Sequence, residues 1–513
     1  MTRRDLFLCA ASGLLVAAAF PPLGAWPVAW VAWVPLLMVV RGRSPRAAFL
    51  PGFAAGLVGA VATFHWIVIV VHTYGHAPLP FAIFALVLLS AYLALYPAAW
   101  AMGVTCAARA GEGAAVWLGA GLWVALEFLR TYLISGFPWA LLANSQAGVL
   151  PIIQIAEWTG AYGVSFLLIL ANGSIAAAVV SLAKQRRPRE AWIRLGALTL
   201  LIAVIFSFGQ GRRQAIATRM QARHALTVAL IQGNIPQDVK WDAAFVTRSL
   251  DRHLSLTAAA ARKQPDLIVW PEAATTFFFQ DEPVLAGRIL QAADQSHAPI
   301  LFGASAYRLD SVNGRPQARY FNSAYLVAPG GRVLGRYDKI HLVPFGEFVP
   351  FRRFLRFLPR VATGIAGDDF TPGDGQALLS AAGHRFGVLI CYEGIFPALS
   401  RDLDRRGADL LVNITNDAWF GRSGAPGQHL EAAVFRAVEG RIGIARAANT
   451  GISALIQPTG EVTKRTGLFE TAQVTGPLTP RVVTTFYTRN GDVFAWACVG
   501  LGALAFVAGR LRL

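Results

Sequence analysis

Three short stretches carry side chains that could together do acid–base and nucleophilic chemistry. "DLIVWPE" ends an apolar run on Glu272, "GRYDKIHLVPFGE" presents Lys339 and Glu347, and "RFGVLICYEG" ends an apolar run on Cys391, followed by Tyr392 and Glu393. A thiol becomes a nucleophile when a base takes its proton, and the oxyanion formed by its attack on a carbonyl needs a cation or N–H donors. A carboxylate and a lysine beside one thiol supply both without histidine. Singly, each residue has an ordinary reading. A free cysteine in a strand packs as a small hydrophobe, a glutamate after Trp-Pro suits a surface turn, and a lysine is usually a solvated charge. His341 and His429 read as ordinary polar histidines.

The elements that must position these groups are short β-rich runs between residues 225 and 475: "LTVALIQGN", "DLIVWPE", "PILFGAS", "SAYLVAPGG", "RFGVLICYEG", "ADLLVNITND" and "ISALIQPTGE". Helix-like segments such as 243–263 and 427–442 lie between several of them. Strands alternating with helices predict an α/β domain that offers polar residues at its strand ends.

The rest of the chain is of another kind. Of 513 residues, 55% are hydrophobic and only 15% charged, against about 25% charged in soluble domains. A spanning helix needs about 20 apolar residues, and candidate spans lie near 6–21, 26–41, 48–71, 79–107, 114–130, 160–182, 192–208 and 490–509. The expected architecture is a membrane α-helical bundle of about eight spans over residues 1–210, an external α/β domain over 220–480, and a final membrane helix over 488–513. The clusters "MTRRD", "RGRSPR" and "KQRRPRE" fall on one side if the spans alternate, while the loops 72–80 and 133–159 lack lysine and arginine. By the positive-inside rule both termini are expected in the cytoplasm and the α/β domain outside. Glu127, in the fifth apolar run, receives no role.

The formal charge of +17 invites a nucleic-acid reading, but much of the excess flanks apolar runs, where it orients spans. There is no P-loop and no H-E-x-x-H motif. Of the four cysteines only Cys391 lies in the polar half, which excludes a disulfide there and a multi-cysteine zinc site. No metal or organic cofactor is required.

In combination, "WPE", "YDKIHLVPFGEFVP", "ICYE" and "NITNDAWFG" resemble the nitrilase superfamily of carbon–nitrogen hydrolases. The flanking spans, "GNIPQDVKW" and "GFPW" are similar to its membrane-embedded apolipoprotein N-acyltransferase family. That resemblance implies an αββα sandwich with a Glu-Lys-Cys triad: Glu272 as general base, Lys339 as oxyanion stabiliser and Cys391 as nucleophile. It implies supporting or substrate-binding roles for Trp241, Glu347, Tyr392 and Glu393, and turn architecture for Asn416, Asp417 and Trp419. It also implies acyl transfer from a phospholipid, through a Cys thioester, to the N-terminal amine of a diacylglyceryl-modified apolipoprotein. The setting would be a bacterial inner membrane with the catalytic domain periplasmic, and a monomer is expected. Aromatic-rich loops at 273–284 and 351–372 are expected to dip toward lipid. The alternatives are a membrane-anchored nitrilase-type amidase and a non-catalytic lipoprotein-binding scaffold.

Overall fold

The computed structural model describes residues 1–183, 185, 188–312, 315–350 and 369–510. Among them, five helices are long and apolar enough to cross a membrane: Pro45–Phe64, Leu79–Ala110, Glu112–Tyr132, Ala161–Ala183 and Pro188–Gln221. The expectation of eight is corrected on this count. The first apolar run forms a helix of only 16 residues, Arg3–Ala18. The second breaks into a 3-10 helix, Trp26–Trp30, and a seven-residue helix, Val34–Val40. Pro27 and Pro35 stand in the first turns of these pieces, where a missing N–H starts a helix more readily than it continues one. The last apolar helix counts as the shorter Val493–Ala503.

Small residues let the helices approach closely. A Cβ on Gly13 would lie 2.5 Å from the Ala55 carbonyl oxygen, and one on Gly52 would lie 2.7 Å from that of Pro97. The helix Pro45–Phe64 is thereby locked between its two neighbours by backbone contact. Ala161–Ala183 is the central helix, with 56% of its most apolar window buried, whereas Pro188–Gln221 is peripheral at 11%. This last helix has 34 residues, about 51 Å at 1.5 Å per residue. It outruns the ~30 Å hydrocarbon layer and carries the basic "GRRQAIATRMQ" stretch past the expected boundary at 210.

Among the described residues, twelve strands form two six-stranded sheets. The first has the order β12-β1-β2-β3-β4-β5, with β1 Leu226–Gln232, β2 Leu267–Val269, β3 Ile300–Val312, β4 Arg315–Ala328, β5 Arg332–Asp338 and β12 Ala472–Leu478. The second has the order β11-β10-β9-β8-β7-β6, with β6 Leu378–Ala381, β7 His384–Ile390, β8 Leu410–Thr415, β9 Gly443–Ala448, β10 Ala454–Ile456 and β11 Val462–Arg465. Strand alternation assigns the faces. In β7, Phe386, Val388 and Ile390 enter the core between the sheets with Leu230, Val269 and Leu326. Leu389 points the other way, toward Leu403 and Val438 of the helices Pro397–Arg405 and Ala425–Gly440. The helices Val246–Ala261 and Pro283–Ser296 cover the first sheet. The result is the expected αββα sandwich.

The sandwich is fastened to the bundle by buried polar bonds. The Gln428 side-chain oxygen accepts from the indole N–H groups of Trp66 (3.3 Å) and Trp139 (2.9 Å). Its amide donates to the carbonyls of Pro21 and Thr63. The Arg441 guanidinium donates to Glu157 (2.7 Å) and Gln154 (2.6 Å), and Arg212 donates to the other Glu157 oxygen. At the C-terminal end, Arg401 and Tyr487 hold Asp492 at the start of the last helix.

Candidate active site

Three strand exits converge. Glu272 follows β2 through Trp270 and Pro271, Lys339 immediately follows β5, and Cys391 immediately follows β7. The first two leave one sheet and the third leaves the other, so packing the two sheets brings the groups together.

Lys339 is 1% exposed, with Nζ 2.9 Å from Glu347 and 3.7 Å from Glu272 Oε1. Burial alone would lower its pKa, but the Glu347 and Glu272 carboxylates outweigh that and push it up, so the ammonium is permanent. The Asn322 amide donates to Glu272 Oε1 (2.7 Å) and to Glu347 Oε1 (2.8 Å), spacing the two carboxylates around the lysine. Glu272 Oε2 accepts from the backbone N–H of Asn416 (2.8 Å). Glu347 Oε2 accepts from the N–H of Val343. Glu347, expected in a supporting or substrate-binding role, contacts Lys339 directly and Glu272 through Asn322.

Cys391 is partly accessible and has φ 52°, a left-handed conformation that is unusual for a non-glycine residue. It begins a 3-10 turn, Cys391–Ile395, so the chain turns sharply from the strand at the thiol. Burial first, and then the Glu272 charge, raises the thiol well above the usual range, against the pull of Lys339. Near neutral pH the resting group is therefore S–H, and a base is needed at the moment of attack.

Glu393 is fully buried and acts as a brace. Its Oε1 accepts from Tyr337 Oη (2.9 Å) and from the N–H groups of Ile340 (2.8 Å) and His341 (3.1 Å). Its Oε2 accepts from the N–H of Ile390 (2.7 Å). One carboxylate thus ties the residues after Lys339 to the residue before Cys391. Tyr392 points away from the thiol, donates to the Gly136 carbonyl (2.9 Å), and stacks on Trp139 of the bundle. Trp241 is exposed.

Several neighbours were not singled out by the sequence. Lys240 is buried, donates to the Glu272 carbonyl (3.3 Å), and has its pKa lowered by burial to about 8. His429 stands between Asp417 and the Cys391 backbone, with Nδ1 3.1 Å from Asp417 Oδ1 and Nε2 3.1 Å from the Cys391 carbonyl oxygen. Burial would raise Asp417, but the Arg446 guanidinium at 2.8 Å and His429 hold it at about 2. Asn416, read as a turn residue, also holds Glu272. The one sequence signal for Asn322 and His429 is a polar side chain inside an otherwise apolar strand or helix face.

A cavity of about 300 Å³ adjoins the Lys339 loop, lined by His341, Phe348 and Phe370 and, from the bundle side, by Ser135. Two of the three phenylalanines of the loop 273–284 do not face outward as expected, while Phe278 is half-buried beside Tyr307 and Tyr320. Phe277 and Phe279 are buried, Phe279 against Phe302 and Tyr325. Residues 351–368 of the other expected loop lie outside the described residues. Among the described residues no group of acidic, histidine or cysteine side chains could hold a metal ion.

Two family models match the chain. One, the apolipoprotein N-acyltransferase N-terminal domain, matches residues 12–174, and the other, carbon-nitrogen hydrolase, matches residues 227–485. An apolipoprotein N-acyltransferase of Geobacter metallireducens is 43% identical, over 99% of this chain and 96% of the relative. One from Nitrosomonas europaea is 34% identical, over 98% and 97%. Among solved structures, an amidase from Nesterenkonia sp. aligns at 20% identity over 52% of this chain and 92% of its own, with a TM-score of 0.38.

Proposed function

The chain belongs to the apolipoprotein N-acyltransferase family and is an acyltransferase of that type; from this premise we propose how its own residues carry the reaction. Glu272 takes the proton of Cys391 as the sulfur attacks the ester carbonyl carbon of a phospholipid. The Lys339 ammonium and the backbone N–H of Tyr392 stabilise the tetrahedral oxyanion. As second residue of a 3-10 turn, Tyr392 has no carbonyl within the turn to receive its N–H. Collapse breaks the ester C–O bond, and the proton held by Glu272 goes to the departing oxygen, so a lysophospholipid leaves and a thioester remains.

The α-amine of the diacylglyceryl-modified cysteine of an apolipoprotein then attacks the thioester. Its C–N bond forms as the C–S bond breaks, and the amine proton returns to sulfur by way of Glu272. The amide product is more stable than the starting ester, so the sequence needs no ATP. Glu347 and Asn322 hold Glu272 and Lys339 in register, Glu393 holds Lys339 against Cys391, and Tyr392 seats the turn on the bundle. Trp241, next to Lys240 in sequence, is exposed and free to meet substrate.

Both substrates are lipids, and each CH₂ exposed to water costs about 0.8 kcal/mol. Seating the sandwich on the bundle avoids that cost. The shorter apolar segments pack with the five long helices, and the domain boundaries stand near 1–210, 220–480 and 488–513, the last helix of the bundle running on to Gln221. Arg41, Arg43 and Arg109 lie at helix ends remote from the sheets, which supports cytoplasmic termini and a periplasmic catalytic domain in the inner membrane. A single chain contains every group invoked, consistent with a monomer.

The observation that carries this reading is the convergence of Glu272, Lys339 and Cys391 from three strand exits, with Asn322 bridging two carboxylates. Intact mass spectrometry after mixing with phospholipid tests it. One added fatty-acyl mass is expected, absent in Cys391→Ala and released by a diacylglyceryl-cysteine peptide. Ammonia release from a simple amide without acyl transfer would sink it.

A further inference from the structure

His429 is a buried titratable group that the acyl-transfer steps leave without a task. It stands in the second turn of the helix Ala425–Gly440, fully buried, and its ring lies between two acceptors. Nδ1 is 3.1 Å from Asp417 Oδ1, and Nε2 is 3.1 Å from the Cys391 carbonyl oxygen. A carbonyl oxygen can only accept, and so can the Asp417 carboxylate, which despite its burial Arg446 keeps ionised. Both contacts are hydrogen bonds when both ring nitrogens carry protons. With a single proton, one end would set lone pair against lone pair. Burial and Arg446 work against that cation, and Asp417 works for it. With both nitrogens engaged, the ring has none left to take a proton from sulfur.

The contact matters through the peptide bond it touches. The Cys391 carbonyl and the Tyr392 N–H are the two ends of one peptide unit. A donor on the carbonyl draws charge through the amide and strengthens the N–H as a donor in turn, by about 10–30% per bond. It also fixes the plane of that unit. Cys391 has φ 52°, a conformation that a non-glycine residue keeps only where its surroundings hold it. The hold comes from two directions. Tyr392 is tied to the bundle through the Gly136 carbonyl and the ring of Trp139. The His429 ring packs on the same Trp139, with centroids 5.2 Å apart, and reaches the carbonyl itself.

We propose that His429 is a positioning residue for the oxyanion hole: by donating from Nε2 to the Cys391 carbonyl, it aims and polarises the Tyr392 N–H at the other end of the same peptide. The inference rests on the reading of that N–H as a donor to the tetrahedral oxyanion. Asp417 and Arg446 then serve the same purpose one step further back, Asp417 by orienting the ring and Arg446 by keeping Asp417 ionised. The ring never meets the substrate, and its effect reaches the reaction only through the backbone.

The test uses the full chain purified in detergent, with Cys9, Cys106 and Cys498 replaced by alanine so that ¹³C-carbonyl cysteine labels residue 391 alone. Two substitutions separate the two ends of the ring. His429→Asn keeps a nitrogen where Nδ1 faces Asp417 and removes the donor to the carbonyl, and His429→Gln does the reverse. In His429→Asn the labelled carbonyl band should move to higher frequency in the infrared. Single-turnover acylation, read by intact mass, should slow there by about 10- to 100-fold, less than deletion of an oxyanion donor outright. The loss should lie in the rate at saturating phospholipid with half-saturation unchanged, because the N–H meets an oxyanion only in the transition state. His429→Gln should keep the band near its parent position and acylate within about fivefold of the parent. An unmoved band in His429→Asn, a rate that does not follow the band in either variant, or activity kept by asparagine and lost by glutamine would overturn the proposal. Absence of any acyl-enzyme on the parent chain would count against the mechanism, while the band, which needs no turnover, would still decide the bond.

Discussion

Replacing Glu393 by glutamine tests whether one buried carboxylate sets the geometry of the triad. The change is nearly isosteric, so the effect comes from charge and from the number of acceptors. Glu393 accepts four hydrogen bonds, three on Oε1 and one on Oε2. The glutamine amide has a single oxygen. If that oxygen faces Tyr337, Ile340 and His341, the NH₂ meets the Ile390 N–H, and one buried donor is left unsatisfied at a cost of about 1–3 kcal/mol. The other three bonds fall from charge-assisted to neutral, about 1 kcal/mol each. Part of this is offset, because burial already raises the pKa of Glu393 and opposes its charge. A net loss of about 2–4 kcal/mol follows, confined to the contact between the Lys339 and Cys391 turns. At 1.36 kcal/mol per tenfold change in rate, acylation should slow by about 30- to 1,000-fold in single-turnover intact-mass measurements. Tyr337→Phe removes only one of the four bonds and should cost about tenfold or less. A folded Glu393→Gln protein that acylates within threefold of wild type would refute the reasoning, as would equal losses in the two variants.

The raised Cys391 thiol should make alkylation by iodoacetamide, read by peptide mapping, slow near pH 7.5 and still rising at pH 9. In Glu272→Gln alkylation should hold or quicken, since a raising charge is gone, while acylation falls by about 10²–10⁴-fold, the usual worth of a general base; a plateau of wild-type alkylation below pH 8 would contradict this. Lys240 has a folded pKa of about 8, so the unfolded chain binds the extra proton between about pH 8 and its ordinary value near 10.4. Stability should therefore rise with pH across that window by up to about 3 kcal/mol in wild type relative to Lys240→Met, and parallel stability curves would exclude it. Glu157→Ala leaves the buried Arg441 without its carboxylate and should cost about 3–5 kcal/mol in chemical denaturation; a loss below 1 kcal/mol would show that the clamp is not structural.

The proposed catalytic groups Glu272, Lys339 and Cys391 could be named because each stands at the exit of an apolar strand, and strand alternation is a local property. Glu393 could be named from its motif, but its four partners lie on two segments, 337–341 and Ile390, that only the packed sandwich brings together. Asn322 was hidden for a related reason: it lies inside β4, and its value depends on two carboxylates 50 and 25 residues away in sequence. His429 looked ordinary because the group it faces, the Cys391 carbonyl, belongs to the backbone. The span count failed where proline outweighed hydropathy, as at Pro27 and Pro35. The phenylalanines of 273–284 misled because aromatic loops suit both lipid and a core, and Phe302 with Tyr325 supplies the core.

Gln428 and His429 are adjacent residues on one helix. The first grips four groups of the bundle, and the second touches the backbone of Cys391, the proposed nucleophile. A single peptide unit therefore separates the membrane anchor from the reactive residue, with no hinge between them. The thiol stands at a fixed height above the bundle, like the stylus of a depth gauge. A lipid ester must rise or sink along the membrane normal until its carbonyl meets that level, so travel falls to the substrate while the enzyme stays still.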